Sequence, residues 1–133
     1  MEIQLVEIPK IVNAQGNIGV IEKDVIPFDI KRVYYLYDVP SSAKRGGHAH
    51  KNLQQLLVPL SGSFDVTLKD GKEETTITLN KPDKGLLINN NIWRELNNFS
   101  SGAVCMVIAS GVYDEDDYIR NYREFLSYVK SNK

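Results

Sequence analysis

His48 and His50, the two histidines of this 133-residue chain, lie in the run Arg45-Gly46-Gly47-His48-Ala49-His50. On a β-strand successive side chains point to opposite faces, so the two imidazoles share one face and Ala49 points away. Paired imidazoles suit two kinds of chemistry. As neutral ligands they can hold a divalent metal if carboxylates or further histidines complete the shell. As acid-base groups with an ordinary pKa of about 6.5 they can take up and return a proton at neutral pH. Polar groups converging in a pocket are the usual mark of a site, so the pair is read as functional rather than as interior filling. Arg45 precedes two glycines, which would let backbone and ligand approach closely, and its planar guanidinium suits a phosphate.

The surrounding pattern predicts an all-β protein. From about residue 2 to residue 110, short β-branched or aromatic runs alternate with turn residues, as in a sandwich or barrel. Residues 30–39 place Val33, Tyr35 and Tyr37 on one face and Arg32, Tyr34 and Leu36 on the other. Strands over 53–60 and 63–69 meet around Ser61-Gly62, and Asp70-Gly71 turns the chain into a strand over 74–79, because glycine tolerates the positive φ of a tight hairpin. Two more strands are expected near 86–88 and 103–110. After the acidic run Asp114-Glu115-Asp116-Asp117, the residues Tyr118, Tyr122, Phe125, Leu126 and Val129 recur at helical spacing. They predict a C-terminal helix with one buried stripe and a solvated acidic N-terminus. Tyr118 and Arg120 are placed where they could reach a neighbouring site.

Composition narrows the partners. With 42% hydrophobic and 25% charged residues, the chain suits one domain over residues 1–133. A formal net charge of -1 offers nucleic acid or an anionic membrane no overall attraction, so any anionic ligand needs local cations. No run approaches the roughly 18 apolar residues of a membrane span, and Met1-Glu2-Ile3-Gln4 does not open a signal peptide. A cytoplasmic protein is therefore expected. Cys105, the single cysteine, lies in the apolar run 103–109 and reads as a buried, inert thiol.

The histidine run resembles the first motif of the cupin barrels, with Gln55 where a cupin carries a glutamate ligand and Gly62 as the closing glycine. The second cupin motif is similar to Asn89-Asn90-Asn91-Ile92-Trp93-Arg94, which sets Arg94 where the last histidine ligand belongs. A guanidinium has no lone pair to give and repels a cation, so no metal is expected. Over nearly the whole chain the match is closer still. The segments Ile30-Lys31-Arg32-Val33-Tyr34-Tyr35, Arg45 to Lys51, Ile92-Trp93-Arg94-Glu95 and Tyr113 to Tyr122 closely resemble the dTDP-sugar 3,4-ketoisomerases.

That resemblance implies a cupin-type jelly-roll β-barrel with a C-terminal α-helix, a homodimer exchanging N-terminal strands, and no cofactor. It also implies conversion of dTDP-4-keto-6-deoxy-D-glucose to a 3-keto isomer that feeds 3-amino sugars of bacterial surface glycans. His50 is then expected as the base at C3, with His48 as proton carrier or hydrogen-bond partner. Arg94 would stabilise the enediolate oxygen. Arg32, Arg45 and Lys51 are expected to meet the diphosphate, Tyr35 and Tyr37 to touch thymine or sugar, and Gln55 to border the substrate. Gln15 stands in Asn13-Ala14-Gln15-Gly16 where many relatives read Asp-x-Arg-Gly, a position the resemblance links, with Arg94, to configuration at C4. Arg94 favours the gluco-configured ribo-hex-3-ulose product. Three rival readings remain: a 3,5-epimerase of the same sugar, which normally uses a His-Asp pair in a longer chain, a metal-dependent cupin oxygenase, and a non-catalytic sugar-nucleotide binding module.

Overall fold

The alternating runs form two five-stranded antiparallel sheets in the computed structural model, which describes residues 1–132. The first sheet has the order β1 (Gln4–Glu7), β9 (Lys84–Ile88), β6 (Gln55–Ser61), β11 (Val104–Ala109) and β4 (Arg32–Leu36). The second has the order β12 (Tyr118–Ile119), β5 (Arg45–His50), β10 (Trp93–Asn97), β7 (Phe64–Lys69) and β8 (Glu74–Leu79). A small hairpin, β2 (Lys10–Ile11) with β3 (Ile18–Gly19), stands apart from both. This is the expected all-β jelly roll, closed at its C-terminus by one helix, α1 (Tyr122–Ser131).

Burial explains which runs alternate and which do not. Leu57, Leu86 and Val107 of the first sheet meet Phe64, Val66, Leu68 and Leu96 of the second in one apolar cluster between the sheets. On the outer side of the first sheet, Leu56, Val58, Leu87 and Ile108 are covered by Ile8 and Ile26 from the N-terminal segment. Because β6 is buried on both faces, its first five residues are all buried and show no period of two. On the outer side of the second sheet, Ala49, Trp93 and Ile119 pack against Phe125 of α1. The helix therefore backs the strand that carries both histidines.

The C-terminal expectation needs two corrections. The helix begins at Tyr122, where the Asn121 side chain accepts the Glu124 backbone N–H at 3.1 Å, so Tyr118 is not part of its stripe. The acidic run instead makes a single 3-10 turn, Glu115–Asp117, after which Tyr118 pairs with His50 across β12 and β5. Leu126 is exposed, leaving Phe125 as the buried residue of the helix. Extended pairing beside β5 outcompetes a helical turn at 118–119 because it satisfies backbone groups next to a buried strand. Among the described residues, no helix is long and apolar enough to cross a membrane.

The Gly62 of the histidine motif is required by packing. Its φ is +67°, and a Cβ there would lie 2.9 Å from Ala103 Cα and 2.4 Å from Ser100 Oγ. Gly62→Ala is expected to destabilise the fold by about 2 kcal/mol or more, from the positive φ and the backbone clash together. A urea titration checks this; an unchanged midpoint would contradict the packing argument.

Candidate active site

The site is built where β5 crosses β10 out of register. Arg94 pairs with His48 and Glu95 with Gly46, so Gly47 is the extra residue of a β-bulge. Both glycines have positive φ, +82° at Gly46 and +63° at Gly47, and a Cβ on Gly46 would come within 3.1 Å of the Arg94 carbonyl. The glycine pair thus lets the strand kink against Arg94, and the kink aims His48 inward.

The two imidazoles meet edge to face, with ring centroids 4.9 Å apart. Tyr118 lies against both, 4.4 Å from His50 and 5.0 Å from His48. His48 Nδ1 is 3.0 Å from the Gly46 carbonyl, and His50 Nδ1 is 2.9 Å from Asp117 Oδ2. A carbonyl only accepts, and both Asp117 oxygens already accept backbone N–H groups, so each imidazole donates through Nδ1. That leaves the lone pair of each ring on Nε2, and both Nε2 atoms are buried without a hydrogen-bond partner. Arg94, 2% exposed, donates to the Gln55 side-chain oxygen and to the Ile92 carbonyl at 3.3 Å. The Gln55 amide in turn donates to the Tyr34 hydroxyl at 3.0 Å.

The charges follow from this packing. Burial, then the Arg94 guanidinium, push the His48 pKa down to about 3. Burial, with Arg94, Arg32 and Arg120 behind it, brings His50 to about 3 as well. Burial lowers Arg94 to about 10, which leaves it protonated at neutral pH. Both imidazoles are therefore neutral bases beside a fixed cation.

Between the sheets opens a cavity of about 390 Å³. Arg32, Lys44, Arg45, Arg94 and Arg120 line it with no carboxylate among the described lining residues, although Arg120 is itself bonded to Glu115 outside it, together with Tyr34, His48, Gln55 and Tyr118 over an apolar floor that includes Leu57 and Val107. A chain of net charge -1 thus concentrates positive charge where an anion would enter. For a divalent cation the same field is repulsive. Among the described residues no three His, Cys, Asp or Glu side chains gather as a metal site.

Of the residues singled out from the sequence, Arg32, Arg45, His48, Gln55 and Arg94 converge on this cavity. His50 is fully buried one layer behind His48 and does not itself border the cavity. Lys51 is turned away by strand parity, its ammonium 5.8 Å from the Tyr128 ring. Tyr35 and Tyr37 are on the outer face of the first sheet, each 61% exposed, and contact each other rather than the cavity. Gln15 sits in the exposed turn between β2 and β3, with its N–H bonded to the Asn13 side chain, away from the cavity of its own chain. Tyr34 takes the place expected of Tyr35, and parity with Arg32 was the signal for it. Tyr118 and Arg120 do reach the cavity. Lys44 and Asp117 carried no local signal, the aspartate being 67 residues from its histidine.

Known proteins resemble this chain over almost its full length. Residues 1–130 match the family described as FdtA, WxcM-like, C-terminal. A TDP-4-oxo-6-deoxy-alpha-D-glucose-3,4-oxoisomerase of Aneurinibacillus thermoaerophilus is 46% identical over 97% of this chain and 94% of its own. The chain belongs to the FdtA family of sugar 3,4-ketoisomerases. Among solved structures, the sugar 3,4-ketoisomerase QdtA of Thermoanaerobacterium thermosaccharolyticum, in complex with TDP, is 44% identical. It aligns with a TM-score of 0.95 over 98% of this chain and 96% of that one. The WlaRB TDP-quinovose 3,4-ketoisomerase of Campylobacter jejuni is 48% identical, with a TM-score of 0.89 over 94% of this chain and 97% of that one. One expected distinction falls in the light of this membership. The His-Asp pair assigned to 3,5-epimerases is present in this ketoisomerase as His50 and Asp117.

Neutral histidines buried in the folded state make stability pH-dependent. Between pH 6.5 and about 3 the unfolded chain binds protons at residues 48 and 50 that the folded chain does not, so stability falls as pH falls through that window. Each histidine contributes a slope of up to about 1.4 kcal/mol per pH unit. Denaturant titrations between pH 5 and 6.5 are expected to show this slope in the native chain and a flatter one in His48→Gln/His50→Gln. Equal slopes would mean that the imidazoles titrate normally.

Proposed function

We propose that the enzyme converts dTDP-4-keto-6-deoxy-D-glucose to the 3-keto isomer without a cofactor. The observation that supports this is one cavity that sets the cations Arg32, Lys44, Arg45 and Arg94 beside the neutral imidazole of His48, with His50 directly behind it and the Nε2 lone pair of each ring unpartnered among the described residues. Moving the carbonyl requires two proton shifts. The C3 hydrogen leaves and C4 receives one, while the proton of the O3 hydroxyl is lost and O4 gains one. A base must lie within reach of the hydrogen it takes, and geometry takes precedence over pKa. His48 borders the cavity, so the reading gives it the carbon-bound proton and reverses the order expected from the sequence. His50, behind it, carries the oxygen-bound proton. Arg94 stabilises the enediolate oxygen through a guanidinium that has no carboxylate bonded to it among the described residues. Arg45, with Arg32, holds the diphosphate.

The finer reading includes the gluco-configured product, supported by Arg94 at the position the family resemblance links to C4 and by the likeness to an enzyme described as acting on TDP-quinovose. It also sets the enzyme in the cytoplasm, on the way to 3-amino sugars, as a homodimer. β1 pairs with β9 of its own chain, so the strands free for exchange are β2 and β3, whose Ile11 and Ile18 are exposed and whose tip holds Gln15.

NMR of freshly made dTDP-4-keto-6-deoxy-D-glucose with chelator-treated protein tests the reading. A 3-keto sugar is expected, with a large C4 coupling for the gluco product. A ketone remaining at C4 would instead favour the 3,5-epimerase to which the His50–Asp117 pair also fits. His48→Asn is expected to lose at least about 10²-fold in kcat while still binding TDP. Arg45→Ala is expected to weaken TDP binding about tenfold or more, measured by calorimetry, with little effect on folding.

A further inference from the structure

Asp117 is far from His50 in the chain, yet it binds the whole segment that follows the histidine. Its Oδ2 lies 2.9 Å from His50 Nδ1, its Oδ1 accepts the Asn52 N–H at 2.8 Å, and Oδ2 also accepts the Leu53 N–H at 3.4 Å. Its backbone carbonyl accepts the Lys51 N–H at 3.0 Å. The aspartate is held in turn by its own N–H, which donates to the Asp114 carbonyl at 3.0 Å within the 3-10 turn. Four consecutive residues, 50 to 53, are thus tied to one side chain and its backbone. His48 has no counterpart: its Nδ1 donates to a neutral carbonyl of its own strand.

We propose that Asp117 is a positioning residue that fixes His50 with its proton on Nδ1 and its lone pair on Nε2, and makes His50 the imidazole that can hold a second proton during turnover. The proposal rests on the ketoisomerase reading and extends it to a residue that does not touch the sugar. The charged groups facing His50 are the Asp117 carboxylate and three cations, Arg94, Arg32 and Arg120, and its ring is packed against Tyr118 and His48. An imidazolium formed there is repelled from three sides and attracted from one, by the carboxylate at 2.9 Å. At His48 a second proton would meet Arg94 and Arg120 with only the Gly46 carbonyl in return. The pair is therefore asymmetric, with His48 at the cavity wall and His50 as the proton store behind it.

Asparagine at 117 separates positioning from mere structure. Its side-chain oxygen can still accept the Asn52 N–H, but its NH₂ would face His50 Nδ1, which must then accept, and the proton moves to Nε2. In the serine-protease triad the corresponding exchange leaves geometry intact and costs about 10⁴ in kcat. The experiment compares wild type with Asp117→Asn by ¹⁵N NMR of the histidine rings and by turnover of dTDP-4-keto-6-deoxy-D-glucose. Expected in the wild type is an Nδ1-protonated His50. Expected in the variant are an Nε2-protonated ring, a loss of at least about 10²-fold in kcat and a KM within about threefold. The proposal is overturned by an Nε2-protonated His50 in the wild type, by a variant that keeps wild-type kcat, or by one that loses kcat with the tautomer unchanged. If the variant does not fold, the wild-type tautomer alone decides. A wild type that gives no 3-keto sugar would sink the ketoisomerase reading instead, leaving the tautomer assignment to be judged by NMR.

Discussion

A guanidinium buried to 2% exposure and bonded, among the described residues, only to neutral oxygens sets the terms for everything around it. Arg94 stays charged because the Gln55 and Ile92 oxygens take part of the cost of removing it from water, and because tyrosines 34 and 118 and Asp117 lie in its field. Its charge is not cancelled by a bonded carboxylate, so it acts on whatever else is near. Burial does most to keep the two imidazoles neutral, and this cation adds to it. The residue that the sequence resemblance sets in place of a metal ligand thus carries a fixed positive charge into the barrel.

The fold meets this constraint by surrounding the cation with rigid, covered strands. β5 and β10 bring the histidines and Arg94 face to face, and α1 seals their outer side through Phe125, Trp93 and Ala49. The opposite wall, β4 and β6, contributes Tyr34 and Gln55, which bond each other, and the Gln55 oxygen accepts from the guanidinium. The bulge at Gly46 and Gly47 is the point where local backbone conformation and site geometry are the same thing, since without it His48 would not pair opposite Arg94.

The sequence was legible where information is local. Strand parity placed His48 and His50 on one face, and the alternation in residues 30–39 divided Arg32, Tyr34 and Leu36 from Val33, Tyr35 and Tyr37 as observed. What parity alone could not say is which of the two faces looks inward, and the tyrosines chosen as ligands were those on the solvent side. The helix boundary was misread because Tyr118 matches a three- and four-residue spacing by coincidence, while the decisive interaction, pairing with His50, is 68 residues distant. Asp117 was hidden for the same reason: an aspartate in an acidic run looks solvated until the fold brings a buried histidine to it. Lys51 follows His50 directly, but its own side chain faces the helix.

The most direct test of the proposal that a buried, neutral pair of imidazoles moves the protons is the fate of the C3 hydrogen. With substrate deuterated at C3 and the reaction run in ordinary water, bases shielded from solvent are expected to return part of the label to C4 of a 3-keto product, because both Nε2 atoms are buried. A product whose ketone remains at C4, with the label washed out at C3, would contradict the account.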